Sequence, residues 1–336
     1  MNLSLEQIKD ITLGAVRVEQ NENGYNFYRF TEEQQALYKN RSDDFYDKTF
    51  STSGVQLRFL TNSNTLFLST AVKRGSSRTY FSFDVYVNGN KIDSLSNFDE
   101  TTLHKFYAHD PFPFGEFSKE FSLGDGEKEV KIYFPWSVST VIKEIRLDDD
   151  SFIKPVKPAK KMLCFGDSIT QGYDTLYPSS KYTTRLAALL DAEEYNKAIG
   201  GEIFFPELAN LKESFEPDFI SVAYGSNDWA HHTRESFIYN CKNFFANLTK
   251  NYPNAKIFAI TPIWRKDINE PTKFGDFYDV SRIMQDELRD FKNVSIIQGF
   301  DFVPQDENLF ADARLHPNDK GFELFFESLT NKILNA

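Results

Sequence analysis

The sequence predicts a two-part chain: an all-β, jelly-roll-like sandwich over residues 1–152, then an α/β domain over residues 153–336 whose parallel sheet carries helices on both faces. Three observations carry this. Up to about residue 147, apolar and polar residues alternate over short runs; after residue 161, short apolar runs alternate with amphipathic segments. Between them, Asp148-Asp149-Asp150, Pro155, Pro158 and the lysines up to Lys161 read as a linker.

In the first part, strands are expected at 15–19, 55–60, 65–72, 81–87, 129–134 and 141–147. Val87-Asn88-Gly89-Asn90 holds the Asn-Gly pair of a tight hairpin, and Leu123-Gly124-Asp125-Gly126 is expected to punctuate another pair of strands. Many short antiparallel strands need a second sheet to cover their apolar faces, so a sandwich follows. In the second part, strands are expected at 162–165, 194–197, 219–224, 256–261 and 294–298, and helices at 180–190, 204–213, 236–251, 277–291 and 319–333. Strand-helix alternation of this kind builds a parallel sheet.

Composition narrows the function. A chain of 336 residues can bury two cores. Its 38 Lys and Arg against 49 Asp and Glu give a net charge of -11, which disfavours nucleic acid as a partner. Glu6, Lys9 and Asp10 stand where a secretory signal would need an apolar core, and no 18-residue apolar run occurs, so the expectation is a cytoplasmic protein without a membrane partner. Cys164 and Cys241 are expected as free, buried thiols. No His or Cys spacing points to a metal, and the loop after Gly166 lacks the phosphate-loop pattern; no cofactor is expected.

The chemistry begins where the apolar run 162–165 stops at Gly166-Asp167-Ser168. Glycine allows a sharp exit that would hold Ser168 at the carboxyl end of a buried strand, the edge at which open α/β sheets bind ligands. Three further blocks follow in order: Asn196-Lys197-Ala198-Ile199-Gly200-Gly201, then Gly225-Ser226-Asn227-Asp228, then Asp312-Ala313-Arg314-Leu315-His316-Pro317-Asn318-Asp319. A serine hydroxyl needs a base to take its proton. Among the five histidines, His104 and His109 lie in the β-rich part, and nothing orients His231 or His232 as that base.

Together the four blocks resemble those of the SGNH, or GDSL, hydrolase superfamily of serine esterases, over roughly residues 161–334. The resemblance implies a flavodoxin-like three-layer fold, Ser168 as nucleophile and His316 as base. It also implies an oxyanion hole made of the Ser168 N–H, the N–H of Gly201, which fits the spacing from Asn196 better than Gly200 does, and the Asn227 side-chain amide. For Asn227 the alternative is an Asx turn that caps its strand. The family's usual motif is Asp-x-x-His, whereas here Asp312 is four residues before His316. A bulged loop would still bring Asp312 to the imidazole and complete a triad; otherwise a Ser-His dyad remains, with Asp312 a turn residue. Asp167 and Asp228 are expected to be supporting carboxylates.

Trp229, Trp264, Arg265 and Tyr173 follow the catalytic blocks and are candidates for contact with a sugar ring or acyl chain, with core packing the alternative for each tryptophan. A β-sandwich ahead of such a domain looks like the two-domain acetylesterases that act on saccharides. The resulting expectation is a serine esterase that removes short acyl groups, acetyl above all, from a small or oligosaccharide ester. Alternatives are a lysophospholipase or thioesterase, and a saccharide-binding protein with an idle hydrolase domain.

Overall fold

The computed structural model describes residues 1–334. The first part contains β1 (Thr12–Leu13), β2 (Arg17–Asn21), β3 (Gly24–Tyr28), β4 (Gln56–Thr61), β5 (Thr65–Arg74), β6 (Ser82–Val87), β7 (Asn90–Ser96), β8 (Gly115–Ser122), β9 (Lys128–Tyr133), β10 (Val138–Leu147) and β11 (Ile153–Pro155). They form two antiparallel sheets, one ordered β1-β4-β9-β6-β7 with β11 on β4, the other β2-β3-β10-β5-β8. One apolar core holds residues from both, among them Leu57, Phe59 and Phe83 from the first sheet and Leu66, Leu68 and Ile142 from the second. Alternation explains it: β4 and β5 bury every second side chain, leaving the others on the outer face.

Asn88 (φ 48°) and Gly89 (φ 83°) make the expected tight turn between β6 and β7. The glycine pair at Gly124 and Gly126 does different work from that expected. It joins β8 to β9, which pair with β5 and with β4 and β6 respectively, so the turn carries the chain from one sheet to the other. The expected linker is also partly structured: Ile153–Pro155 pairs with β4, and Asp148 accepts hydrogen bonds from Asn64 and Thr65. Three helices, α1 (Leu5–Ile11), α2 (Glu32–Arg41) and α3 (Asp43–Lys48), were not expected from the strand-like pattern.

The second part contains β12 (Lys160–Gly166), β13 (Ala192–Asn196), β14 (Phe219–Ala223), β15 (Lys256–Ile260) and β16 (Val294–Ile297), with α4 (Ser168–Gln171), α5 (Tyr182–Leu189), α6 (Pro206–Asn210), α7 (Ser226–His231), α8 (Arg234–Asn251), α9 (Tyr278–Leu288) and α10 (Asp319–Leu334). The strand order β13-β12-β14-β15-β16 is that of a doubly wound, flavodoxin-like sheet, and β12 with β14, β14 with β15 and β15 with β16 pair in parallel. The helix expected at 204–213 shrinks to five residues, with Pro206 at its first turn. The chain divides into two compact units. One gathers Met1–Ala159 with Leu176–Ser179 and Glu193–Tyr195; the other begins at Lys160, seven residues beyond the boundary expected at 153.

Candidate active site

Ser168 is the first residue of α4, directly after β12. Gly166 is required there by crowding and not by an unusual φ: a Cβ on it would lie 2.1 Å from Thr170 Oγ1 and 2.8 Å from the Ala223 carbonyl oxygen. Asp167 caps the short helix by accepting the Ile169 N–H at 3.0 Å. The strand, the tight glycine and the cap together fix the Ser168 hydroxyl at the carboxyl edge of the sheet.

His316 reaches that hydroxyl from the loop before α10, with Nε2 2.8 Å from Ser168 Oγ. Its Nδ1 lies 2.7 Å from Asp312 Oδ2. The extra residue in the motif is absorbed by Ala313, whose φ of 56° puts it in the left-handed region. That bulge lets Asp312 Oδ1 accept the backbone N–H groups of Arg314, Leu315 and His316 at 2.9, 2.8 and 3.1 Å while Oδ2 faces the imidazole. Burial pushes the Asp312 carboxyl up, yet the bond to His316, the imidazolium charge and these N–H groups outweigh it and hold the carboxyl well below the usual range.

A second carboxylate stands at the same nitrogen. Asp174 Oδ2 is 3.6 Å from His316 Nδ1, with the Asp174 side chain fully buried and its backbone left-handed at φ 73°. Sequence reasoning missed it because it follows the serine block by six residues in no motif. The signal available was its place directly after the turn Gly172-Tyr173, since aspartate is among the few residues that take a left-handed turn readily. Asp174, Asp312 and His316 offer ligand atoms within 4.8 Å of one another, a spacing that could hold a cation. Such an ion would compete with the Nδ1 bond that orients the ring, so these residues fit a proton relay better than a metal centre.

The oxyanion candidates converge on the same edge. Gly200 spends its N–H on Gln171 Oε1 at 2.8 Å, and a Cβ there would strike the Tyr173 ring; Gly201, at φ 91°, has no protein acceptor for its N–H among the described residues. Asn227 is the second residue of α7, and its Nδ2 donates one hydrogen to the Glu202 carbonyl at 2.9 Å, leaving the other. Below, Asp228 accepts from the Phe204 and Gly225 N–H groups, and burial raises its carboxyl to about 8. Burial likewise raises Asp167 to about 6. Asp228 is thereby kept largely neutral near pH 7, which spares a forming oxyanion one opposing charge, while Asp167 still ionises below that pH.

The four candidates for substrate contact are enclosed. Trp229 is 1 % exposed, with Nε1 donating to the Gly275 carbonyl at 2.8 Å, Phe277 edge-on to its ring and the Arg265 guanidinium over its face. Arg265, 4 % exposed, binds Asp267 through two nitrogens and the Ser226 carbonyl at 3.0 Å. Asp267 in turn binds Arg314, so Arg265 braces the Asn227 turn and the His316 loop. Trp264 packs on Phe310, and Tyr173 lies beside the His316 ring at 5.5 Å. His104, His109, His231 and His232 are not in the array that joins Ser168, His316 and Asp312.

Fold and site define a class: a doubly wound α/β unit with a serine, histidine and carboxylate in hydrogen-bonded series at its carboxyl edge. Residues 164–324 match the model of the GDSL-like lipase/acylhydrolase family, and the chain resembles SGNH/GDSL carbohydrate acetylesterases. No curated protein sequence matches the chain. Among solved structures, the salicylyl-acyltransferase SsfX3 of a tetracycline biosynthetic pathway superposes with a TM-score of 0.77 at 19 % identity, covering 96 % of this chain and 94 % of that one. A family two carbohydrate esterase from Clostridium thermocellum, in complex with cellohexaose, gives 0.65 at 16 %, covering 96 % and 98 %. The acetyl xylan esterase Est2A from Butyrivibrio proteoclasticus gives 0.63 at 16 %, covering 100 % and 98 %. The family match supports an esterase or acylhydrolase, and these structures share the fold.

Proposed function

We propose that the protein is a serine esterase that removes short acyl groups, acetyl first among them, from a carbohydrate through an acyl-enzyme on Ser168. The observation that carries this reading is the unbroken series from Asp312 Oδ2 through the His316 ring to Ser168 Oγ, at 2.7 and 2.8 Å. Ser168 Oγ attacks the ester carbonyl carbon while His316 Nε2 takes its proton. Asp312 holds the ring by accepting Nδ1–H and, with Asp174, offsets the positive charge that forms. The Ser168 and Gly201 N–H groups and the Asn227 amide receive the oxyanion. As the tetrahedral intermediate collapses, Nε2 returns the proton to the departing alcohol, and water then repeats the sequence to free the acid.

The carbohydrate part of the reading is supported by the likeness to the two carbohydrate esterases. We place the protein in the cytoplasm, a reading supported by two buried cysteines that form no disulfide, Cys164 and Cys241. Among the described residues no helix is long and apolar enough to cross a membrane. The likeness to an acyltransferase supports a second reading, in which an acceptor alcohol instead of water resolves the acyl-enzyme.

Turnover of p-nitrophenyl esters from acetate to decanoate, beside an acetylated xylo-oligosaccharide, tests the proposal. Preference for acetate with turnover of the oligosaccharide is expected. Preference for decanoate would favour a lysophospholipase or thioesterase, product transferred to an added alcohol would favour the acyltransferase, and no turnover of any ester would favour a saccharide-binding protein.

A further inference from the structure

Arg265 follows β15 and was expected to meet the substrate, yet it is 4 % exposed. A buried guanidinium is stable only where its donors and its charge are matched, so its partners indicate its role. On one side it grips α7 before and after Asn227. Nη1 donates to the Ser226 carbonyl at 3.0 Å, and the guanidinium carbon lies 4.9 Å from the centre of the Trp229 ring. On the other side Nε and Nη2 donate to the two oxygens of Asp267 at 2.5 and 2.8 Å. Arg265 also acts on the nucleophile's turn: burial raises the Asp167 carboxyl, and the Ile169 N–H, the imidazole and the Arg265 guanidinium oppose that rise.

Asp267 continues the link to the loop that carries the base. Its Oδ2 also accepts from Arg314 Nη1 at 3.2 Å, and the Lys266 N–H donates to the Arg314 carbonyl at 2.9 Å. The Arg314 N–H is in turn one of the three that bind Asp312 Oδ1, whose partner oxygen meets His316 Nδ1. Burial pushes the Asp267 carboxyl up, but its bonds to Arg265 and the charges of both arginines outweigh burial and lower it, so it stays ionised at neutral pH. Arg265, Asp267 and Arg314 thus join the turn that presents the Asn227 amide to the loop that presents the imidazole. Both groups must act on one tetrahedral centre, and a misplacement of about 1 Å between them is enough to cost about 100-fold in rate.

We propose that Arg265 is a positioning residue that sets the spacing between the Asn227 amide and the His316 ring, acting on the base through Asp267 and Arg314. The proposal rests on the esterase reading for the reaction that this spacing serves. Lysine keeps the charge of Arg265 but cannot make the forked pair to Asp267 together with the bond to Ser226. Arg265→Lys is therefore expected to lower kcat on p-nitrophenyl acetate by about 10- to 100-fold with KM little changed, and to slow labelling of Ser168 by a fluorophosphonate by a similar factor. Arg314→Met opens the network at its surface end, where the Arg314 side chain is 52 % exposed and an ion pair adds little stability. It should lower both rates by about three- to tenfold at an unchanged melting temperature. Because the three side chains act in series, the double variant should be little slower than Arg265→Lys alone. Native rates in folded Arg265→Lys, losses that only follow the folded fraction, or losses that multiply in the double variant overturn the proposal. If Arg265→Lys does not fold, Arg314→Met and Asp267→Asn decide, and native rates in both overturn it. A native chain that labels at Ser168 but hydrolyses no ester overturns the esterase reading alone and leaves the labelling rates to decide the network; one that does neither overturns both.

Discussion

The loop that carries Asp312 and the turns that carry Asp167 and Asp228 treat the same side chain in opposite ways. Asp312 is surrounded by three backbone N–H groups and an imidazole, and its carboxyl is held below the ordinary range. Asp167 and Asp228 are enclosed with fewer compensating donors, and burial raises them to about 6 and about 8. The lesson is that an acyl-transfer site needs negative charge behind its base and little of it beneath its oxyanion, and that local donors, not residue type, decide which carboxyl supplies it.

The largest expected effect comes from the charged side of this contrast. Asp312→Asn should lower kcat by about 10³-fold or more with KM little changed, because an amide cannot stabilise the imidazolium or fix its tautomer. A loss below tenfold would reduce the site to a Ser-His dyad. On the oxyanion side, Asn227→Ala should cost roughly 100- to 1,000-fold in kcat, or about 3 to 4 kcal/mol, at an unchanged melting temperature. Asn227→Asp should be at least as inactive, since it places charge where the oxyanion forms; an active, stable Asn227→Asp enzyme would remove Asn227 from the hole.

Asp174 should matter less. Asparagine tolerates the same left-handed backbone, so Asp174→Asn removes charge with little strain, and we expect about a tenfold loss in kcat, near 1.4 kcal/mol. The loss should grow when Asp312 is already asparagine, because both carboxylates then act on one imidazolium; strictly additive losses would show that Asp174 only packs.

The smallest effect concerns stability. A carboxyl raised in the folded state stabilises most below its unfolded value near 4, and that stability is lost as pH rises, through about 6 for Asp167 and about 8 for Asp228. Relative to the native chain, Asp167→Asn should therefore gain roughly 2 kcal/mol between pH 4 and 7. Parallel stability curves across that window would show that Asp167 is not held up by burial.

Much of this arrangement was legible in the sequence because strand ends and turns carry it in short blocks: Gly166-Asp167-Ser168, the Gly200-Gly201 pair, Asn227 and His316. The bulge at Ala313 was legible only as one residue too many. Its resolution needed the left-handed backbone that Ala313 adopts. Trp229 misled because its neighbours in sequence are catalytic, while the groups that enclose it, Gly275 and Phe277, come from a loop some 45 residues away. In the sandwich, β7 and β8 were missed for a different reason. Both are edge strands with one largely solvated face, so their residues lack the apolar alternation of β4 and β5. Helix α2 did carry a signal, the capping box of Thr31 and Gln34, that the strand-like pattern around it obscured.

The central claim is that Ser168 forms the acyl-enzyme with His316 as its base. Its most direct test is mass spectrometry of the protein after reaction with a serine-directed fluorophosphonate, for the native chain, Ser168→Ala and His316→Ala. The account predicts one adduct on the peptide that contains Ser168, none on Ser168→Ala, and labelling slowed by at least about 10³-fold in His316→Ala, with all three proteins folded. Rapid labelling of a different serine, or of Ser168 at the native rate without His316, would contradict it.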